Sequence, residues 1–371
     1  MFSTESRQSI AQALGVGPLE LVFTSGGTES NNTILRSFFW RVIGRDRHEF
    51  ITSSLEHPSV LKTMMWMREN GAVVHVVPVD RQGLFDWDFF HSVLSEKTAL
   101  VSIMLANNET GVLLPVAEIV QKAHAVGAQV HTDAVQAFGK IPLNLKQLGV
   151  DYASLSAHKF YSLKGTGILY SRRGSEFEPL LSGGAQERHR RGGTENTLGI
   201  WALGKMAQKN LLINTQAERL QALRDHLEKR ILNEISDVSV NHQTAQRLPN
   251  TSSLILKNVD GETLLMSLDL KGYAVSTGAA CSSGNPEPSP VLLAIGLSRQ
   301  EAQNSLRLSL GWSTSAEQVD QFVDVLKETV IRLRSLNELA DESLLDKKIL
   351  NVSSDVGLDT GVNTFSKEVS L

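Results

Sequence analysis

The chain has 371 residues, of which 41% are hydrophobic and 20% are charged. This composition is typical of a globular protein and excludes collagen, low-complexity and wholly disordered chains. The 36 Lys and Arg residues nearly balance the 40 Asp and Glu residues and leave a formal net charge of -4. Because duplex nucleic-acid binders usually carry a basic excess, we expect no nucleic-acid partner.

The apolar runs of the sequence are short, and its one cysteine is Cys281. No run approaches the roughly 20 apolar residues of a membrane helix. Residues 1–7 lack the basic and apolar regions of a signal peptide. A single cysteine forms no internal disulfide, so the sequence predicts a reducing, cytoplasmic setting and no membrane contact.

Short apolar runs alternate with longer amphipathic stretches between about residues 20 and 175. A further apolar strand is expected just before Lys159. Strands that alternate with helices in this way indicate an α/β fold with a mostly parallel sheet. The predicted strands lie at 21–23, 50–52, 73–77, 99–105 and 129–132, and the predicted helices begin near 29, begin at 58 and span 116–126.

The character of the chain changes after residue 195, where a charged helical stretch runs to about 235. We predict a large domain over 1–205 and a smaller α+β C-terminal domain over 206–340. Residues 341–371 form a polar tail that need not be ordered. The later elements are predicted as strands at 252–256, 273–276 and 305–309, and as helices near 262–268 and 316–336.

The segment with the most candidate chemistry is 154–165, which contains Ser156, His158 and Lys159. Burial and cationic neighbours lower the pKa of a lysine and make its amine nucleophilic, as a Schiff-base lysine requires. The alternative is a surface lysine at a strand end, which this segment taken alone favours.

Asp133 and Gln136 stand at the end of another apolar strand, where open α/β sheets bind ligands. Asp133 could pair with a protonated pyridine nitrogen, and Gln136 could donate to an oxygen on the same ring. For Asp133 alone, the simpler interpretation is a cap for the next helix.

Two further segments follow predicted strands. Gly26 and Gly27 lie in TSGGTE at 24–29, where backbone N–H groups could approach a phosphate at a helix N-terminus; a plain glycine turn is the alternative. His57 precedes Pro58 and could stack on a flat cofactor and transfer protons near neutral pH. A lone histidine is more often structural.

Asn108 and Cys281 complete the candidate set. Asn108, in NNETG at 107–111, could hydrogen-bond a cofactor or substrate, although such a segment also simply forms a turn. Cys281 lies in a Gly-, Ser- and Pro-rich stretch at 276–288. Free cysteines are usually buried among apolar groups, so a thiol in this setting is a candidate nucleophile or carrier.

Taken together, these segments resemble the cysteine desulfurases of the NifS/IscS type, which are class V aminotransferase-like, fold-type I enzymes that use pyridoxal phosphate. The resemblance extends over about residues 21–336 and implies a mostly parallel large domain with a smaller α+β C-terminal domain. It is carried by FTSGGTE at 23–29, ANNETG at 106–111, HTDAVQ at 131–136, SAHK at 156–159, GTEN at 193–196, ACSSG at 280–284, EPS at 287–289 and SLRLSLG at 305–311.

The resemblance also implies roles for single residues. Lys159 would bind the cofactor covalently and move the substrate's Cα proton, Cys281 would attack the substrate sulfur, and His57 would stack on the cofactor ring. Asn108 and Arg307 would hold the substrate carboxylate. The implied cofactor contacts are Gly27, Thr28, His57, Asn108, Asp133, Gln136, Ser156, His158 and Lys159, with Thr194 reaching the phosphate of the partner subunit in a homodimer.

The implied reaction converts L-cysteine to L-alanine and leaves the sulfur on Cys281 as a persulfide. A free thiol has a pKa of about 8.5 and needs a base near neutral pH; His57 is the hypothesis for that base. The implied partner is an iron–sulfur scaffold or another sulfur-acceptor protein. No resident metal is implied, although Cys281 could transiently bind an iron–sulfur cluster.

The sequence also departs from the family pattern. Relatives are expected to begin about 45 to 50 residues earlier, because residues 1–14 here match a later helix. Three alternatives therefore stay open: a selenocysteine lyase, an aminotransferase-like enzyme of the same fold, and a truncated, non-catalytic remnant. Five single residues also differ from those usual in the family: Ser162, Leu163, Ala185, His189 and Pro290.

Overall fold

The computed structural model describes residues 2–278 and 287–355. Cys281 belongs to the segment 279–286, which lies outside the described residues. The end of the predicted tail, 356–371, also lies outside them. The described chain contains one large sheet with helices on both faces and a second, smaller sheet with helices of its own.

The large sheet has seven strands. These are β1 (Leu21–Thr24), β2 (Glu49–Ser53), β3 (Val73–Val77), β4 (Thr98–Ser102), β5 (Gln129–Asp133), β6 (Tyr152–Ser156) and β7 (Gly167–Ser171). Their spatial order is β1-β7-β6-β5-β4-β2-β3. β2 to β6 pair in parallel, whereas β7 runs antiparallel to both of its neighbours. The predicted α/β fold with a mostly parallel sheet is confirmed, and β7 is a strand that the sequence pattern does not predict.

Helices cover both faces of this sheet, so its central strands are buried on both sides. Successive strand residues point to opposite faces: Phe50 and Leu100 pack in one core, and Ile51 and Val101 pack in the other. This explains why the strands appear in the sequence as continuous apolar runs. The helices are α1 (Phe2–Leu14), α2 (Gly27–Val42), α3 (Pro58–Glu69), α4 (Trp87–Val93), α5 (Val116–Ala125), α6 (Leu145–Leu148) and α7 (Thr197–Lys209).

The smaller unit begins after α7. Its elements are α8 (Ile213–Glu234), β8 (Val238–Val240), β9 (Thr251–Leu256), α9 (Gly261–Asp269), α10 (Pro290–Ala294), α11 (Arg299–Gln303), β10 (Ser305–Ser309) and α12 (Ala316–Asp355). The three strands form an antiparallel sheet in the order β10-β9-β8. A separate core, with Leu227, Leu254 and Val323, holds the sheet against its helices. Residue 205 lies within α7, so the exact domain boundary stays a prediction.

Two elements of this part of the chain differ from the sequence predictions. Helix α12 continues to Asp355, through the first half of the predicted polar tail, because residues 341–355 contain helix formers and neither glycine nor proline. The strand predicted at 273–276 is reduced to one bridge, between Ser276 and Arg307. None of the helices in the described ranges is both long and apolar enough to cross a membrane.

Candidate active site

The predicted site residues gather at the carboxyl end of the parallel strands. His57 follows β2, Asn108 follows β4, Asp133 ends β5, and Lys159 lies in the 3₁₀ turn that follows β6. Carboxyl ends of parallel strands share one edge of the sheet, which is the usual place for a ligand. Asp133 and Lys159 both act electrostatically on His57, so the three side chains share one site.

Asp133 presents a buried carboxylate at this edge. It is 5% exposed; Asn31 Nδ2 donates to Oδ2 at 2.7 Å and the backbone N–H of Val135 donates to Oδ1 at 3.0 Å. Burial raises the pKa of Asp133, and a cation placed next to it would lower that pKa and favour the ionised carboxylate. The alternative role as a helix cap is wrong, because the next helix, α6, is capped by Asn144.

His57 caps α3 and faces Ser59 with one ring nitrogen. The backbone N–H of Ser59 donates to His57 Nδ1 at 3.1 Å, and Ser59 Oγ lies 2.8 Å from the same nitrogen. Pro58, the first residue of α3, suits this position because it needs no hydrogen-bond partner for its nitrogen. Burial above all lowers the pKa of His57; Asp133 raises it and Lys159 lowers it further.

The N-terminus of α2 is a candidate site for an anion. The residue before the helix, Gly26, has no side chain to occupy the first N–H groups, and a Cβ built on it would lie 3.7 Å from Ser156 Oγ. A Cβ on Gly27 would lie 2.6 Å from Val135 Cγ2, so any larger residue there would force Val135 to move. Ser156 Oγ is 3.0 Å from His158 Nδ1, and Thr28 is exposed in the first turn of α2. We call this group the α2 anion site.

Lys159 is exposed in the single chain, with cationic neighbours around it. Burial and Lys159 both lower the pKa of His158. A buried setting and cationic neighbours are both expected around a reactive lysine. His158 and Lys140 are such neighbours here, whereas the Lys159 side chain is exposed.

Lys140 is a second lysine in the site, and the sequence argument missed it. Its Nζ donates to Gln136 Oε1. Burial lowers the pKa of Lys140 to about 7, and Lys159 and Arg307 lower it too. Gly139 stands at φ 78, with Phe160 packed against it, and this contact holds the Lys140 segment beside the Lys159 turn.

Arg307, on strand β10 of the small sheet, reaches the loop that contains Asn108. Arg307 Nη1 donates to the backbone oxygen of Asn108 at 2.7 Å, across the two units. The Arg307 backbone pairs with Ser276 in both directions, at 2.6 and 3.2 Å. Asn108 Oδ1 is buried and has no hydrogen-bond partner among the residues that the structure describes. A guanidinium beside an amide suits a carboxylate ligand.

Glu109 was also missed, and it lies next to both ends of the segment that contains Cys281. Ser289 Oγ donates to Glu109 Oε2, and a Cβ on Gly278 would lie 3.3 Å from the same oxygen. Burial raises the pKa of Glu109 to about 7, and Ser289 and Arg307 oppose that rise.

Thr194 is exposed in the loop before α7, and no contact among the described residues assigns it a role. The same loop is tied to α2 by Arg191, whose Nε lies 2.9 Å from Glu29 Oε1. The loop therefore lies near the α2 anion site. The predicted contact of Thr194 with the partner subunit's phosphate stays a prediction, as do the roles of the other site residues.

The residues present fit pyridoxal phosphate. The α2 anion site offers helix N–H groups and a hydroxyl for a phosphate. Asp133 offers a buried carboxylate for a ring cation, and Lys159 offers a primary amine at the same edge of the sheet. Gln136, held through its oxygen by Lys140, has its N–H groups left to donate to a ring oxygen.

Comparison with known proteins agrees with this geometry. The family model for class-V aminotransferases matches residues 2–322. Cysteine desulfurase IscS of Dictyoglomus turgidum is 42% identical over 345 residues, which are 93% of this chain and 87% of that protein. A cysteine desulfurase of a Nostoc species is 43% identical over 338 residues, covering 91% and 84%.

Solved structures give the same result. A NifS-like protein superposes with a TM-score of 0.82 at 37% identity and covers 88% of this chain and 87% of its own. A NifS-like protein from Rickettsia africae gives a TM-score of 0.78 at 32% identity with the same coverage. The chain therefore belongs to the class-V aminotransferase family, whose members depend on pyridoxal phosphate, and within it to the cysteine desulfurases.

Proposed function

We propose that this protein converts L-cysteine to L-alanine and transfers the sulfur to Cys281 as a persulfide. One observation carries the proposal: Lys159, Asp133 and His57 lie close together at the sheet edge that also carries the α2 anion site and the Arg307–Asn108 pair. An amine, a buried carboxylate, a phosphate site and a carboxylate site are the groups that this reaction needs. The similarity to proteins named cysteine desulfurase supports it.

In this proposal pyridoxal phosphate is held by Lys159 through its amine, by Asp133 at the ring nitrogen and by the α2 anion site at the phosphate. When bound, it supplies an electron-withdrawing ring that makes the substrate's Cα proton acidic. Gln136 donates to the ring oxygen, and His57 covers one ring face. Thr194 reaches the partner subunit's phosphate.

The chain's own groups then carry out the steps. Arg307 and Asn108 fix the substrate carboxylate, and Lys159 accepts the Cα proton. The Cys281 thiolate attacks the substrate sulfur; a sulfur–sulfur bond forms while the Cβ–S bond breaks, and its electron pair stays on the carbon. Two protons, one at Cβ and one at Cα, complete L-alanine, and Cys281 keeps the persulfide.

A homodimer and a sulfur acceptor are part of the proposal. Leu198 and Trp201, on α7 beside the Thr194 loop, are 64% and 42% exposed. An exposed apolar surface next to a loop that serves a partner subunit favours a dimer contact. The persulfide would pass to an iron–sulfur scaffold or another acceptor protein. A cytoplasmic location accords with a single thiol that must stay reduced.

The test measures L-alanine and persulfide from L-cysteine with the chain loaded with pyridoxal phosphate. Equal amounts of alanine and sulfur are expected, and both should be lost in Lys159→Ala. Cys281→Ser should retain cofactor binding and lose the transfer of sulfur. A keto acid as product would point to an aminotransferase, and activity on selenocysteine alone would point to a lyase. If a folded chain loaded with pyridoxal phosphate forms neither L-alanine nor persulfide, the proposal is contradicted.

A further inference from the structure

The site contains a chain of hydrogen bonds that joins His57 to Asp133 through two side chains. The amide of Asn31 donates one N–H to Asp133 Oδ2 at 2.7 Å and the other to Ser59 Oγ at 2.9 Å. Ser59 contacts His57 Nδ1 through its hydroxyl, at 2.8 Å, and through its backbone N–H, at 3.1 Å. We call Asn31 and Ser59 the bridge residues.

The direction of each bond follows from the donors available. A backbone amide nitrogen only donates, so His57 Nδ1 carries no hydrogen and the neutral ring keeps its hydrogen on Nε2. Ser59 Oγ accepts from Asn31, which leaves the hydroxyl hydrogen to point at Nδ1. Nε2 is then the ring nitrogen left to contact a ligand.

Packing alone does not explain an asparagine at position 31. Asn31 is 0% exposed, and among the described residues its Oδ1 has no hydrogen-bond partner. A buried acceptor without a partner destabilises the fold, and an apolar side chain of the same size would avoid that loss. What asparagine provides here is therefore its two donated bonds, to Asp133 and to Ser59.

We propose that Asn31 and Ser59 are positioning residues that hold His57 as the Nε2–H tautomer and couple it to Asp133. In this state His57 offers a hydrogen-bond donor to the ligand and accepts no proton at Nε2. The inference rests on the proposed function, because it deepens the role of the same site. It replaces the hypothesis that His57 removes the thiol proton of Cys281.

The test observes the ring nitrogens of His57 by nitrogen-15 NMR of the full chain labelled in histidine, with and without pyridoxal phosphate. The His57 signals are assigned by their loss in His57→Gln. The variants are Ser59→Ala, Asn31→Leu and the double variant. The matched control is Asn70→Ala, an exposed residue at the far end of the same helix.

The unmodified chain is expected to carry a hydrogen on Nε2 and none on Nδ1. Ser59→Ala removes a donor that stabilises the neutral ring, so the pKa of His57 in the loaded protein should rise by roughly half to one unit. Asn31→Leu should raise it by a similar amount. The double variant should shift the pKa no more than the larger single change, because both residues act through one chain of bonds. Asn70→Ala should leave it unchanged.

A hydrogen on Nδ1 in the unmodified chain would overturn the proposal. So would a His57 pKa that does not move in Ser59→Ala, or shifts that simply add in the double variant. If Asn31→Leu fails to fold, Ser59→Ala still decides, since it removes one hydroxyl from the first turn of α3. The proposed function fails on a different result, the absence of L-cysteine turnover. The NMR measurement does not depend on turnover, so the two failures can be told apart.

Discussion

The contact between Gly139 and Phe160 holds the Lys159 turn in place, and Gly139→Ala tests it. A Cβ at position 139 would lie 2.4 Å from Phe160 Cβ, and the backbone there has φ 78. The left-handed conformation costs a residue with a Cβ about 1 kcal/mol, and the clash adds about 1–3 kcal/mol. We therefore expect Gly139→Ala to lower the free energy of unfolding by roughly 2–4 kcal/mol.

Gly174→Ala is the matched control. Gly174 has φ 89, and a Cβ there meets nothing within 4 Å, so this variant carries the backbone strain without the clash. It should lose only about 1 kcal/mol. Urea titrations of both variants measure the difference.

Gly139→Ala should also weaken the site, because Phe160 directly follows Lys159. A displacement of the reacting amine by about 1 Å can cost up to a hundredfold in rate. We expect turnover of L-cysteine to fall about tenfold to a hundredfold in Gly139→Ala and to stay near its original value in Gly174→Ala. Equal losses of stability in the two variants, or full turnover in Gly139→Ala, would refute this account of the contact.

Three further predictions concern single residues: Lys140 and Arg307 in the site, and Glu56, which directly precedes His57. Lys140→Met removes the donor to Gln136, so the dissociation constant of pyridoxal phosphate, measured by absorbance titration, should rise about threefold to tenfold; an unchanged constant would contradict this. Arg307→Lys loses the planar fork for the substrate carboxylate, so KM for L-cysteine should rise about tenfold to a hundredfold with a smaller change in kcat, and a loss confined to kcat would be the contrary result. Burial raises the pKa of Glu56 to about 8 from 4.5, so the stability that the protonated Glu56 contributes is present at acid pH and is lost as pH rises towards 8. The free energy of unfolding of Glu56→Gln, measured by urea titration, should therefore fall less between pH 5 and 8 than that of the unmodified chain. Equal pH dependence in the two proteins would count against this prediction.

The fold was largely predictable from the sequence because the central strands of its large sheet are buried on both faces. Phe50 and Ile51 are adjacent apolar residues that serve opposite cores, and such runs mark a parallel sheet clearly. β7 escaped prediction because the Lys159 turn and a glycine-rich segment precede it and no helix separates it from β6. The strand expected at 273–276 failed because its pairing with β10 consists of one bridge, at Ser276.

The site was predictable where a residue follows a strand, and unpredictable where it acts from within a helix or loop. Asp133 and Lys159 stand at strand ends, so the position alone marks them. Asn31 lies inside α2, and only the folded chain brings its amide to Asp133 Oδ2 at 2.7 Å. Lys140 gains its perturbed pKa from burial and from two cations that are distant in sequence. No local sequence pattern marks Asn31 or Lys140 as a site residue.

The loop at 107–111 joins the two halves of the proposed chemistry. Asn108 accepts from Arg307 through its backbone oxygen, and the next residue, Glu109, accepts from Ser289 Oγ and lies near Gly278. The residue that helps to hold the substrate carboxylate in the proposed reaction, Asn108, is therefore followed directly by Glu109, whose carboxyl group lies beside the residues on either side of the Cys281 segment.

A change at Glu109 should consequently affect the transfer of sulfur to Cys281 more than the removal of the Cα proton by Lys159. Glu109→Gln, which keeps an acceptor for Ser289 and removes the titration, should slow persulfide formation on Cys281 less than Glu109→Ala does, while exchange of the Cα proton with solvent stays the same in both. Equal rates of persulfide formation in the two variants would show that the contact with Ser289 does not matter for the transfer.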